Sequence, residues 1–203
     1  MIAIVDYGVG NLFSLKSSFA AIGSFAVVSS DPVALKNADK LVLPGVGAFR
    51  DAADKLKRTG LFGLVKEEAE KGKPLLGICL GMQMLFEKSF EDGEYEGLSL
   101  LSGQVCSIGE VIPKELKIPQ IGWNALRFTK ESPLFYGIPE GSYVYFVHSY
   151  SAMHSTDVIA ETEYGAFLTA AAGRANVYGC QFHPEKSGET GLKILKNFAE
   201  EIR

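Results

Sequence analysis

The stretch PLLGICLGMQ, residues 74–83, joins a short apolar run to a cysteine between glycines and then to helix-forming residues. The run 74–78 reads as a buried strand. Cys79 stands two residues from Gly77 and two from Gly81, the layout of a strand–turn–helix elbow whose tight turn pushes the central side chain into a cleft. A helix starting at Leu80 would point its positive end at the sulfur, lower its pKa and offer the Leu80 N–H to an oxyanion. The same cysteine also reads as a small buried hydrophobe at a strand end.

Working outward, the residues before the elbow alternate strands with helices. Residues 2–5, 25–28 and 41–43 are short apolar strands. Asn11 caps a helix carrying Leu12, Leu15, Phe19 and Ile22, Asp31-Pro32 opens a second, and 49–59 and 61–71 form two more. Strands buried on both faces and separated by helices indicate a parallel sheet. From Ser99 onward the text changes to strands and turns. SYVYFV at 142–147 and VYGCQF at 177–182 are β-branched and aromatic, and a last helix spans about 189–202. The expected fold is α/β, a mostly parallel central sheet with flanking helices and an added antiparallel strand region, in one domain over residues 1–203.

Composition narrows the function. The 203 residues are 47% hydrophobic and 22% charged with a net charge of −4, so a sizeable core is available and no basic footprint for nucleic acid exists. No basic helix suggests a membrane surface and no apolar run is long enough to span a bilayer. The start, MIAIVDYG, carries Asp6 and lacks the pattern of a signal peptide. Cys79, Cys106 and Cys180 match neither a disulfide framework nor a zinc pattern and read as reduced thiols of a cytoplasmic protein.

A second constellation is QFHPEKS at 181–187. Side chains two apart in an extended segment project to one side, so Glu185 is placed to orient the His183 ring, and a base with an orienting carboxylate is what a nucleophilic thiol needs. A loop histidine beside a surface glutamate is the plainer reading. His148 ends an aromatic strand and suits a packed histidine as well as a site residue, while His154 lies in a polar stretch. No spacing among the three suggests a metal site. A third constellation is PGVGAF at 44–49, on the rim where ligands bind in open α/β sheets. DYGVGN lacks the third glycine of a dinucleotide fingerprint, and no Walker lysine follows any of these turns. No cofactor and no metal are expected.

Taken together, GICLGMQ and FHPE resemble the nucleophile elbow and histidine–glutamate pair of the class I, or triad, glutamine amidotransferases. With DYGVGN, LPGVGAF, PQIGWN (119–124), YFVHSY (145–150) and FHPEKS, the whole chain is similar to the glutaminase subunits of imidazole glycerol phosphate synthases. The resemblance implies glutamine hydrolysis through Cys79, His183 and Glu185. Leu80 and the Gly45–Val46 stretch would hold the oxyanion, and Gly47, Gln83, Glu91, Ser149 and Tyr150 would contact glutamine. It further implies a heterodimer with a (β/α)8-barrel cyclase subunit that uses the ammonia to make imidazole glycerol phosphate and an aminoimidazole carboxamide ribonucleotide. Asn11, Trp123, Tyr145 and Lys186 would lie at that interface. Trp123, the only tryptophan, reads as an interface residue in a Gly-Trp-Asn turn or as a core aromatic. Glutaminase subunits serving anthranilate, pyridoxal phosphate or guanylate synthesis are the rival relatives, and they have no reason for PQIGWN or HPEKS.

Overall fold

Strands that are apolar on both faces belong in the middle of a sheet, and the computed structural model, which describes residues 1–202, puts 2–5, 40–43 and 75–78 there, with 26–29 at the edge. β1 (Ile2–Val5), β2 (Ala26–Ser29), β3 (Lys40–Leu43) and β4 (Leu75–Ile78) alternate with α1 (Leu12–Ala21), α2 (Pro32–Asn37), α3 (Phe49–Arg58) and α4 (Leu61–Glu70). Local chemistry starts these helices. The Asn11 side chain accepts the Ser14 N–H at 3.4 Å, and Asp31 accepts the Val33 N–H at 3.0 Å with Pro32 in the first turn. β4 runs into Cys79 and the one-turn helix α5 (Leu80–Gln83).

The second half contributes β5 (Lys88–Ser89), β6 (Tyr95–Glu96), β7 (Gln104–Ser107), β8 (Gln120–Ala125), β9 (Arg127–Phe128), β10 (Tyr143–His148) and β11 (Tyr150–Met153). β12 (Val158–Glu163), β13 (Phe167–Arg174), β14 (Val177–Cys180) and α6 (Gly188–Glu200) complete it. An eight-stranded sheet has the order β2-β1-β3-β4-β14-β13-β12-β9. It is parallel from β2 to β14 and antiparallel beyond. β14 is the seam: Cys180 pairs with Ile78 on one side and with Ala171 on the other. β8 and β10 form a ribbon, and β11-β7-β5-β6 a small third sheet.

Alternation along each strand divides the core. Ala3 and Val5 pack with Phe49, Leu56, Leu61 and Val65 of α3 and α4. Ile2 and Ile4 pack on the other face with Leu15 and Phe19 of α1 and Ile194, Leu195 and Phe198 of α6. Fully burying a side chain such as Phe198 is worth about 1.5–3 kcal/mol. Lys40 Nζ secures the end of α6 by donating to the carbonyls of Phe198 (2.9 Å), Ala199 (2.8 Å) and Ile202, groups that a helix end leaves without partners.

Three features differ from the sequence expectation. The helix after the elbow is a single turn, because the carbonyls that would prolong it accept from elsewhere. Met84 O takes the Leu98 N–H at 2.7 Å, and Leu85 O takes those of Leu100 and Leu101 at 2.8 and 2.9 Å. Trp123 stands in strand β8 opposite Tyr145, not in a turn. Strands also begin before Ser99, since β5 and β6 pair through Lys88 and Ser89.

Candidate active site

The carboxyl ends of β1, β3, β4 and β14 carry DYGVGN, PGVGAF, Cys79 and QFHPE respectively, so the motifs converge on one rim. Cys79 has φ +55°, a conformation that costs a non-glycine residue about 1–3 kcal/mol and persists only where its surroundings hold it. Here the Cys79 N–H donates to Cys180 O at 2.7 Å and the Gln83 N–H to Cys79 O at 3.1 Å. The flanking glycines are steric necessities. A Cβ on Gly77 would lie 2.7 Å from Gly81 O, and one on Gly81 only 1.9 Å from Leu43 O.

His183 and Glu185 meet beside this turn, Nδ1 to Oε1 at 2.8 Å, with both side chains buried. They meet across the short turn at 184–186, not along an extended strand, and Pro184 starts that turn. The His183 backbone is tied at both ends: its N–H donates to Tyr145 O at 3.0 Å, and its carbonyl accepts the Ser187 hydroxyl at 2.6 Å. Burial alone would lower the pKa of the ring. Hydrogen bonding and charge from Cys79 and Glu185 outweigh it and carry the ring up to about 9. Imidazole and carboxylate therefore form one electrostatic unit that favours a positive ring beside the sulfur.

The sulfur opens into a cavity of about 280 Å³, small for a drug-sized ligand and suited to an amino acid. Val46, Gly47, Cys79, Leu80, Gln83, Glu91, Ser149, Tyr150 and His183 all line it. Gly45 and Glu185 are not among the lining residues. A larger groove of about 780 Å³ along residues 128–138 holds no histidine or cysteine. The Leu80 N–H is engaged by Gly45 O at 3.3 Å. Glu91 spends one oxygen on the Phe49 N–H at 2.7 Å, where it caps α3, and burial raises its pKa. Gln83 Nε2 donates both to Tyr150 O and to Gln181 Oε1, each at 3.0 Å. With both amide hydrogens committed, Gln83 offers a ligand only its acceptor oxygen.

The sequence left His148 open between a packed and a site residue, and did not single out Gln181 or Tyr7 as parts of this site. His148 lines the cavity with its ring between Tyr150 O (2.8 Å) and Gln120 Oε1 (2.9 Å), and burial lowers its pKa to about 4. His154 is exposed. Gln181, fully buried, places Nε2 3.8 Å from Cys79 Sγ; its signal was its position two residues before His183. The Tyr7 hydroxyl donates to Pro44 O at 2.7 Å and so braces the PGVG turn. Cys106 and Cys180 are buried, and burial pushes both thiols up.

Trp123, Tyr145 and Lys186 gather on one surface. The Trp123 and Tyr145 rings meet edge-on at 6.0 Å, and Lys186 Nζ lies 5.8 Å from the Tyr145 ring centre. Trp123 is 52% exposed and is no core aromatic. Asn11 follows Gly10, whose position abuts Pro44. No group of histidine, cysteine and acidic side chains among the described residues is arranged to hold a metal, and no described helix is long and apolar enough to cross a membrane.

The sequence matches the family "Glutamine amidotransferase class-I" over residues 3–202. It is 52% identical over 205 residues to the imidazole glycerol phosphate synthase subunit HisH of Caldanaerobacter subterraneus subsp. tengcongensis, covering 100% of this chain and 99% of that protein. The Aquifex aeolicus subunit of the same name is 48% identical over 198 residues, 96% and 94% of the two chains. A solved structure described as a glutamine amidotransferase shares the fold with a TM-score of 0.75 at 18% identity, over 98% of this chain and 99% of that one.

Proposed function

The chain belongs to the class-I glutamine amidotransferase family, and on that premise we propose that Cys79, His183 and Glu185 hydrolyse glutamine to glutamate and ammonia. Its function is that of the glutamine amidotransferase subunit of imidazole glycerol phosphate synthase, in histidine biosynthesis. One observation supports the residue assignment above all. A strained cysteine just after β4 shares a small cavity with a histidine just after β14 whose ring is oriented by a buried carboxylate 2.8 Å away.

The Cys79 thiolate attacks the side-chain carboxamide carbon of glutamine. His183, positively charged in the resting pair, gives its proton to the departing nitrogen, and ammonia leaves behind a glutamyl thioester. A water then loses its proton to His183 as it attacks the thioester carbon, the C–S bond breaks, and glutamate departs as the electron pair returns to Cys79 as thiolate beside the protonated His183. Glu185 holds the ring by Nδ1, which keeps Nε2 for this traffic. Gln83, Gly47, Glu91, Ser149 and Tyr150 contact the substrate.

The oxyanion site is closed by its own backbone. Gly45 O occupies the Leu80 N–H, so turning over the 45–46 peptide withdraws an acceptor, frees Leu80 and brings in the Val46 N–H. One such donor is worth about 10²–10³ in rate. A partner cyclase subunit, a (β/α)8 barrel docked over Trp123, Tyr145, Lys186 and Asn11, receives the ammonia. An exposed tryptophan packed beside a tyrosine and a lysine has the chemistry of an interface hot spot. Glutamate release is measured for the chain alone and for the complex loaded with the cyclase's nucleotide. Slow release alone and a rise of about 10²-fold or more on loading is the expected result; equal rates would remove the 45–46 peptide as the gate.

Two substitutions separate the triad from its neighbours. Glu185→Gln keeps an oxygen near Nδ1 but removes the charge that raises the His183 pKa. The ring then loses its proton at lower pH. The basic limb of the kcat/KM profile should shift down by about one unit, with a slower rate at neutral pH; an unmoved limb would make Glu185 a bystander. Cys106→Ser and Cys180→Ala should leave kcat/KM within about twofold, because thiols raised by burial are poor nucleophiles. A larger loss in a chain that melts normally would contradict that.

A further inference from the structure

Gln181 is fully buried and its amide has a determined orientation. Tyr150 O is a backbone carbonyl and only accepts, so the Gln83 atom 3.0 Å away is its NH₂. The same NH₂ is 3.0 Å from the Gln181 side chain, which must therefore present its oxygen there. The Gln181 NH₂ is left facing Cys79 Sγ at 3.8 Å. Two amides in series thus run from a backbone carbonyl to the sulfur, with an N–H at the sulfur end. Reversing Gln83 would set oxygen against oxygen, and reversing Gln181 would set NH₂ against NH₂ and oxygen against the sulfur, neither of which a buried site tolerates. A neutral thiol is a weak acceptor, whereas a thiolate is a strong one and draws its donors closer.

We propose that Gln181 is a further catalytic residue, whose side-chain N–H favours and aims the Cys79 thiolate while Gln83 locks the amide in that orientation. The proposal rests on Cys79 being the nucleophile. His183 supplies the positive charge on one side of the sulfur, and Gln181 supplies an uncharged donor that is never asked to give up a proton. It therefore serves the sulfur both before attack and when the thioester is cleaved.

The test is the pH dependence of Cys79 alkylation by iodoacetamide, mapped by peptide mass, together with steady-state glutamine hydrolysis by the complex with its cyclase partner. In Gln181→Met, similar in shape but without a donor, the alkylation midpoint should rise by about one unit. kcat should fall about 10- to 100-fold with KM within about threefold, the usual worth of a hydrogen bond to a charged group. Gln181→Glu, nearly isosteric, should raise the midpoint further by setting a negative group beside the sulfur, and it stands in if the methionine variant does not fold, as judged by melting and by co-elution with the partner. An unmoved midpoint in the folded variants overturns the proposal, whatever happens to kcat, and leaves Gln181 a packing residue. A change confined to KM overturns it in favour of a substrate contact. Failure of the underlying assignment would show in the wild type, where alkylating Cys79 would leave glutamine hydrolysis intact.

Discussion

With Cys79 replaced by alanine, glutamate release from glutamine falls by about 10⁴-fold or more, the size of loss seen when a nucleophile is removed from a catalytic unit. Alanine keeps the Cβ, so the backbone strain at φ +55° and the anchoring bond to Cys180 O are unchanged. What disappears is one sulfur in contact with the core, and the melting temperature should move little. The Leu80 and Gly45–Val46 backbone and the His183–Glu185 pair remain, yet the proposed mechanism then has no atom to deliver to the carboxamide carbon. The complex given ammonium salts in place of glutamine should still form cyclised product, since the ammonia then needs no source within this chain. Measuring both reactions on one preparation is decisive: residual glutamine use would mean that the nucleophile is another group, and loss of both would mean that the variant no longer docks.

Gly81→Ala should be nearly as damaging by a different route. The added methyl would lie 1.9 Å from Leu43 O, 2.8 Å from Leu43 C and 3.0 Å from Pro44 C. All three are backbone atoms of the segment leading into the PGVG turn, so no side-chain rotation relieves the contact. The elbow and the PGVG turn must move apart, separating Leu80 from Gly45–Val46. A cost of about 3 kcal/mol is expected for overpacking without an escape, which lowers the melting temperature of a chain of this size by about 6–12 °C, and glutamine hydrolysis should be lost. Gly63→Ala is the control. It lies inside α4 with nothing within 4 Å of the added methyl, and should stabilise the chain by about 0.4–1 kcal/mol. If Gly81→Ala melts and turns over like Gly63→Ala, the close approach of elbow and turn does not govern the site.

The parts of this molecule that were legible in the sequence are those whose signal is local. Asn11 and Asp31 announce helices because their caps act within three residues. Cys79 and His183–Glu185 stood out as candidates because glycine spacing and an x-Pro-x pair are contiguous patterns. The illegible parts depend on partners far along the chain. α5 stops after one turn because residues 98–101 take its outgoing carbonyls, and nothing in GMQMLF foretells that. Trp123 looks like a turn residue between Gly122 and Asn124 until β10 is set beside it. Gln181 is an ordinary strand-end glutamine until Gln83, 98 residues earlier, fixes which way its amide faces. Propensity and spacing cannot encode a hydrogen bond whose direction is inherited from a third residue.

Because β14 pairs in parallel with β4, the thiol and its proton carrier are neighbours in space but are made at different times. Gln181 follows Cys79 by 102 residues, a lag of about 5–20 s at ordinary rates of translation. Until β14 has emerged from the ribosome and inserted beside β4, the elbow carries its cysteine without His183, Glu185 or Gln181. A chain stalled or clipped before residue 177 therefore lacks β14, His183, Glu185 and Gln181 altogether, and glutamate release by such a fragment should be absent.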